Sequence, residues 1–252
     1  MLSMMETIER RVSCRSYEKK PLEPSTLEKL ADCVNQLRDA SGIGMELVTV
    51  EDEKDSVKLA RSMFNGGVTT YLLLTGDNSP ATGERAGYYA HQFVLYATRL
   101  GLGTCWVAGT YDHHSVHPKL AEGEQVLSVI PVGYPTEKVP LKQNMIRAGL
   151  RKGDRKDEAF VESELLFTQL PEWFCRCVEA VRMGPSAVNG QPINLSWQDG
   201  VIRAKVWKEN HRMEYLDLGI AKAQFEAAAH AQGIRGHWEL GKEGRFLWEQ
   251  SE

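Results

Sequence analysis

Three stretches of this chain carry more chemistry than their places in a fold would require. The first is "RRVSCRSY", residues 10 to 17, in which Arg11, Ser13 and Arg15 stand at alternate positions. In an extended segment alternate side chains project from one side, so these three would offer two guanidinium forks and a hydroxyl to a single anion. The spacing by itself fits a solvated basic strand or helix end at least as well. The second is "GPSAVNGQP", residues 184 to 192, behind an amphipathic run (Trp173, Cys177, Val178, Val181) and ahead of an alternating one (Ile193, Leu195, Trp197). A helix-to-strand connection needs little more than a Gly and a Pro. Ser186, Asn189 and Gln191 add side chains that donate and accept hydrogen bonds. The third is "YDHHSVHP", 111 to 118, where His114 and His117, with His113 beside them, can set two imidazoles on one helical turn. No His-Glu-x-x-His pattern or convergent acidic cluster accompanies them and Pro118 ends the turn, so they read as solvated loop histidines with no metal.

Five cysteines (Cys14, Cys33, Cys105, Cys175, Cys177) are an odd number without Cys-x-x-Cys spacing, which reads as reduced thiols. A formal net charge of −4 over 252 residues gives no reason to expect nucleic acid or an anionic membrane as partner. No apolar run approaches the roughly 18 residues of a membrane span. The opening "MLSMMETIERR" lacks the basic start, apolar stretch and cleavage site of a secretory signal, and a cytoplasmic protein is the expectation.

The elements that must position these residues fall into two similar series. Ser25 and Glu28 are spaced as a capping box, and Leu27, Leu30, Ala31, Val34 and Leu37 recur at helical intervals. "MELVTVE" (45 to 51) and "VTTYLLLTG" (68 to 76) read as strands. A helix follows from Arg85 to Leu100, with Gly87, Ala90, Val94 and Ala97 forming a side that lets another helix approach closely. "QVLSVIPVGYP" (125 to 135) is a strand ending in a turn. Between 136 and 157, Lys138, Lys142, Arg147, Arg151, Lys152, Arg155 and Lys156 gather with little apolar periodicity, as a solvated connection or as a source of one or two phosphate ligands.

The pattern then restarts: helix 171 to 182, strand 193 to 197, a turn at "QDG", strand 201 to 207 and an Ala-rich helix from about 217 to 231. "GYYAHQFVLYATRLGLGTCW" (87 to 106) aligns with "GIAKAQFEAAAHAQGIRGHW" (219 to 238) at a constant offset, with Gly87/Gly219, Gln92/Gln224, Phe93/Phe225, Ala97/Ala229, Gly101/Gly233 and Trp106/Trp238 identical. The reading is an internal duplication. It predicts an α+β protein of two similar α/β halves, 1 to 140 and 161 to 252, joined by a connecting segment 141 to 160. Such a chain often resembles a two-fold dimer fused into one polypeptide, and the small-residue helices are then expected at its centre.

Arg-x-Ser-x-Arg-x-Tyr at 11 to 17 resembles the opening motif of the FMN-dependent nitroreductase family. "GPSAVNGQP" is similar to that family's Ala-Pro-Ser-x-x-Asn-x-Gln-Pro loop, "GLGTCWVAG" (101 to 109) to its Gly-Leu-Gly-x-x-Trp-x-x-Gly segment, and "IPVGYP" (130 to 135) to its late strand and turn. The resemblance implies that Arg11, Ser13 and Arg15 hold the FMN phosphate and ribityl chain. It further implies that Pro185, Ser186, Asn189 and Gln191 lie against the flavin, and that Ala108 and Gly109 present backbone N–H near flavin N5. Arg151 and Arg155 are both candidates to complete the phosphate site. Val12, Gly184 and Ile193 depart from the family pattern, and the Pro-Ser loop comes late, where "ASGIGMEL" (40 to 47) occupies its usual place.

Duplication accounts for that order. The first half keeps the phosphate motif and the second keeps the loop, so the expectation is one FMN per chain, between the halves. "FVESELLFTQL" (160 to 170) carries no second Arg-x-Ser-x-Arg. By resemblance the activity is transfer of hydride from NADH or NADPH, through the flavin, to a small acceptor such as a nitroaromatic or quinone. No Gly-x-Gly-x-x-Gly fingerprint supports a separate nucleotide site. The alternative is a flavin- or ligand-binding protein of the same fold without redox turnover. The chain is expected to be a monomer, as a pseudo-dimer, or a homodimer.

Overall fold

In a computed structural model the described residues are 2–60, 63–64, 68–137, 144, 149, 154–208, 213–241 and 244–249. Arg151 and most of the cationic segment before it lie outside them. The chain divides into two compact units that interleave in sequence. One comprises Arg11–Thr82 and Phe93–Gly149; the other comprises Met1–Arg10, Gly83–Gln92 and Leu150–Glu252. The expected halves were sequential. Helix α1 (Met4–Arg10) and the first part of a later helix belong to the unit that holds the second series of elements.

In the unit containing Arg11, strands β1 (Gly44–Thr49), β2 (Thr70–Gly76), β3 (Gly103–Thr104) and β4 (Gln125–Gly133) form an antiparallel sheet in the order β1-β2-β4-β3. Every residue of β2 is buried, which is why "TYLLLTG" is a continuous apolar run and not an alternating one. Helix α2 (Pro24–Ser41) packs on β1 through the buried face of Leu30 and Val34. It corrects the expected capping box. The helix begins one residue before Ser25, with Pro24 at its first position and Glu23 as a cap that makes no side-chain bond. Proline suits that position because its missing N–H would have no helical partner there.

The other unit is built on α5 (Glu214–Ala231), which is buried on nearly every side over its first twelve residues past Tyr215 and therefore apolar or Ala-rich almost all round. Against it lie α4 (Glu172–Met183), the Gly83–Gln92 stretch of α3 (Pro80–Arg99) and α1. Its sheet joins β5 (Val161–Glu162), β6 (Ile193–Gln198), β7 (Val201–Val206), β8 (Gly236–Trp238) and β9 (Arg245–Trp248) in the order β5-β6-β7-β9-β8. Only the β5–β6 pairing is parallel. Asp199 and Gly200, both at positive φ, make the "QDG" hairpin turn between β6 and β7. Edge-to-face ring contacts, such as Phe174 to Trp197 at 5.0 Å and Phe225 to Phe246 at 5.1 Å, fill the space between helix and sheet.

Two features repeat between the series. The order β6-β7-β9-β8 follows the same path as β1-β2-β4-β3, with a long helix inserted at the same point. The two long helices also stop alike: Leu102 N–H donates to Ala97 O and Ile234 N–H to Ala229 O, both at 3.0 Å, around Gly101 and Gly233 at positive φ.

Candidate functional site

Residues 11 to 17 run extended beside β3. Ser13 makes a parallel bridge to Thr104, and Cys14 N–H donates to Thr104 O at 2.8 Å. Alternation then does what the spacing requires. Cys14 is buried in a core cluster with Tyr17, Cys105 and Val107, while Arg11, Ser13 and Arg15 are half-buried. All three influence the Cys105 thiol. Burial pushes that thiol up, against the pull of the Arg15 and Arg11 guanidiniums and a hydrogen bond with Ser13. Arg15 Nε is buried and has no hydrogen-bond partner among the described residues, so part of this donor set is unspent on the protein. The segment is pinned by Tyr17, whose hydroxyl donates to Cys14 O at 2.8 Å. Its ring lies against Gly133 at the end of "IPVG", where a Cβ would come within 3.0 Å of Cδ1. Tyr17 is the last letter of the motif, and its positioning role was not legible from spacing.

Ala108 and Gly109 lie in the same unit. They follow Val107, which exchanges both backbone bonds with Val129 at 3.0 and 2.8 Å. Gly109 is exposed, and a Cβ placed on it would meet nothing within 4 Å. His113 and His114 sit on an exposed short helical turn capped by Asp112, with the His113 ring 4.4 Å from Tyr111, and His117 lies exposed beyond its end. Among the described residues no three His, Cys, Asp or Glu side chains are grouped to hold a metal.

The Pro-Ser loop belongs to the other unit. It leaves α4 at Gly184 and returns at β6, and its side chains bond partly within the loop and mostly to the segments beside it. Ser186 Oγ accepts from Gln191 N–H at 3.0 Å, Gln191 Nε2 donates to Arg182 O at 3.3 Å, and Asn189 Nδ2 donates to Asp154 at 2.6 Å. Arg155 is drawn into the same network. Its backbone N–H donates to Gln191 Oε1 at 2.8 Å, and its guanidinium donates to the carbonyls of Gln191 (2.8 Å), Ile193 (2.9 Å) and Ala159 and to Asn194 Oδ1 (2.6 Å). It also lies over the rings of Phe160 and Trp207, at 4.2 and 4.7 Å. Pro185 is half-buried. Val188, Asn189 and Gln191 all take positive φ, which is unfavourable for a β-branched valine. A buried carboxylate unremarked in the sequence, Asp217 of α5, accepts from Ala187 N–H through both oxygens at 3.1 Å.

A mixed α+β protein with a two-arginine, one-hydroxyl donor set on one side of an extended segment is thereby defined. A family model described as "Putative TM nitroreductase" matches residues 3–229, and the chain belongs to that family. A Thermotoga maritima structure described as a putative nitroreductase has a TM-score of 0.64 at 20% identity, covering 98% of this chain and 93% of that one, a likeness of fold. Also similar are an FMN-dependent nitroreductase from Clostridium difficile R20291 (TM-score 0.41, 21% identity, 54% of this chain and 89% of that one) and a Parabacteroides distasonis protein described as a putative NADH dehydrogenase/NAD(P)H nitroreductase (0.39, 25%, 54% and 89%). No curated protein matches the sequence. The expected family and α+β fold class are met. Among the described residues no helix is long and apolar enough to cross a membrane.

Proposed function

We propose that this chain is an FMN-dependent oxidoreductase that takes hydride from NADH or NADPH and passes it to a small acceptor such as a nitroaromatic or quinone. One observation carries the reading: Arg11, Ser13 and Arg15 alternate, half-buried, along an extended segment, with Arg15 Nε buried and unpartnered among the described residues. Two guanidiniums and a hydroxyl suit a phosphate monoester and part of a polyol chain. The bound flavin would supply reversible hydride chemistry at N5. Ala108 and Gly109 N–H would orient that edge, and Pro185, Ser186, Asn189 and Gln191 would form the loop that lies against the ring. Family membership and the neighbours described as FMN-dependent or NAD(P)H-linked support the same cofactors. The bonds of Arg155 favour a role in shaping the loop over one at the phosphate.

Each motif is present once, so one flavin per chain is proposed, in a chain that arose by duplication. The matching strand orders and helix ends support that origin. Purified protein should show a flavin spectrum, release FMN in a ratio of one per chain, and bleach on anaerobic addition of NADH or NADPH. Two flavins per chain would overturn the single site. A bound flavin that neither nucleotide reduces would replace turnover by simple binding. Nitroaromatics and quinones are the acceptors to test first, and sedimentation decides between monomer and homodimer.

A further inference from the structure

Nothing in the sequence singles out Asp217, yet it is the most deeply placed acid beside the Pro-Ser loop. The loop contains a short helical turn, Ala187–Asn189, whose first N–H needs an acceptor. Ser186 stands at the cap but makes no side-chain cap bond, and its hydroxyl instead accepts from Gln191 N–H five residues on. Asp217 supplies it from a different element, with both carboxylate oxygens 3.1 Å from Ala187 N. The turn it holds is strained: Val188 at φ 46° and Asn189 at φ 56° follow immediately, and Gln191 at φ 45° closes the loop. Backbone in such regions persists only where surrounding contacts over-determine it. Here those contacts are Asp217 at the start of the turn and Arg155 with Ser186 at its end.

We propose that Asp217 is the positioning residue of the Pro-Ser loop, its ionised carboxylate fixing Ala187 so that residues 186 to 191 keep the shape that receives the flavin. The proposal rests on the flavin reading above. Asp217 borders a small surface recess with Ala187, Gly190, Pro192, Lys208, Met213 and Glu214. Among the described residues, Glu214 and Lys208 are the charged groups facing it there. Burial pushes the Asp217 carboxyl up to about 7, with the Ala187 N–H pulling down and Glu214 adding to the rise. The group therefore changes charge across neutral pH, and a charged acceptor makes the stronger bond.

The test compares wild type, Asp217→Asn and Asp217→Ala from about pH 5.5 to about pH 8.5, spanning the titration. Amide-exchange protection of Ala187 is read in the flavin-free chain, and FMN affinity by quenching of flavin fluorescence. Wild type should gain Ala187 protection as pH rises through neutrality. Asp217→Asn keeps an acceptor that does not titrate, so its protection should be flat with pH. Asp217→Ala should lose about tenfold in protection and about tenfold in FMN affinity, as expected for one hydrogen bond to a charged group. A wild-type pH profile surviving in Asp217→Asn, or unchanged Ala187 protection in Asp217→Ala, overturns the proposal. If wild type binds no FMN, the flavin reading falls, and Ala187 exchange alone then decides the anchor: lost protection in Asp217→Ala upholds it, and unchanged protection overturns it.

Discussion

Gly87 of α3 and Gly219 of α5 form the two sides of one helix crossing. A Cβ on Gly87 would lie 2.0 Å from Leu216 O, and one on Gly219 would lie 1.9 Å from Glu84 O. The two contacts are equivalent under the offset that aligns the helices, since Glu84 corresponds to Leu216 as Gly87 does to Gly219. Reciprocity of this kind belongs to an isologous, two-fold contact. Because backbone faces backbone, no side chain can yield. Gly87→Ala and Gly219→Ala should each cost about 3 kcal/mol or more, at the upper end of overpacking. The double variant should cost less than the sum, because one displacement of the helices relieves both clashes. Urea unfolding of the three proteins checks this.

Arg11→Ala and Arg15→Ala should each weaken FMN binding by about 2 kcal/mol, the worth of a charge-assisted hydrogen bond. Riboflavin, which lacks the phosphate, should lose far less. Fluorescence titration with both flavins separates a phosphate contact from a general loss of fold. Equal losses for the two flavins would remove these residues from the phosphate.

Lys222 of α5 is 1% exposed and bonds to the buried Glu84 of α3 beneath the Trp238 ring. Glu84 also accepts from Gly241 N–H at 3.1 Å. Lys222→Met alone should destabilise by about 3–5 kcal/mol, since it strands a buried carboxylate. Adding Glu84→Gln should recover a substantial part of that loss. Chemical denaturation of single and double variants measures the difference.

Asp217 also gives stability a pH dependence. Its carboxyl is raised from 3.8 to about 7 by burial, so the folded chain holds a proton that the unfolded chain releases. The resulting stability is full below about pH 4 and is lost as pH rises towards about 7. Local anchoring of Ala187 and global stability therefore run in opposite directions across this window. Asp217→Asn should flatten the urea midpoint between these pH values relative to wild type.

Val188 is 67% exposed at φ 46°, so its side chain gains little from burial while its backbone is strained. Val188→Asn should raise stability by about 1 kcal/mol, as asparagine tolerates this region. A higher thermal midpoint with unchanged Asp217–Ala187 protection would locate the strain in the valine alone.

Long periodic elements were legible in the sequence because each buries a face. The apolar run of β2, the Leu30 and Val34 face of α2 and the all-round burial of α5 follow directly from residue type. The alternation of Arg11, Ser13 and Arg15 predicted a shared side, and the bridge of Ser13 to Thr104 provides the extended backbone it needs. Short elements escaped. α1, β3, β5, β8 and β9 span two to seven residues, too few for a period to declare itself. The start of α2 was misplaced because proline at the first helical turn and a serine cap offer competing signals one residue apart.

By itself the sequence determined the family, the repeated order of elements and the side chains available to an anion, since these depend on residue type and local period. Tertiary structure decided how those side chains are employed. Arg155 is indistinguishable from its cationic neighbours in sequence, yet the carbonyls of Gln191 and Ile193 and two aromatic rings claim its guanidinium. Asp217 is one polar letter in a helix, yet burial and a single N–H from a loop thirty residues earlier make it an anchor. Both outcomes come from contacts distant in sequence, where the partner that satisfies a buried polar group exists only once the chain has folded.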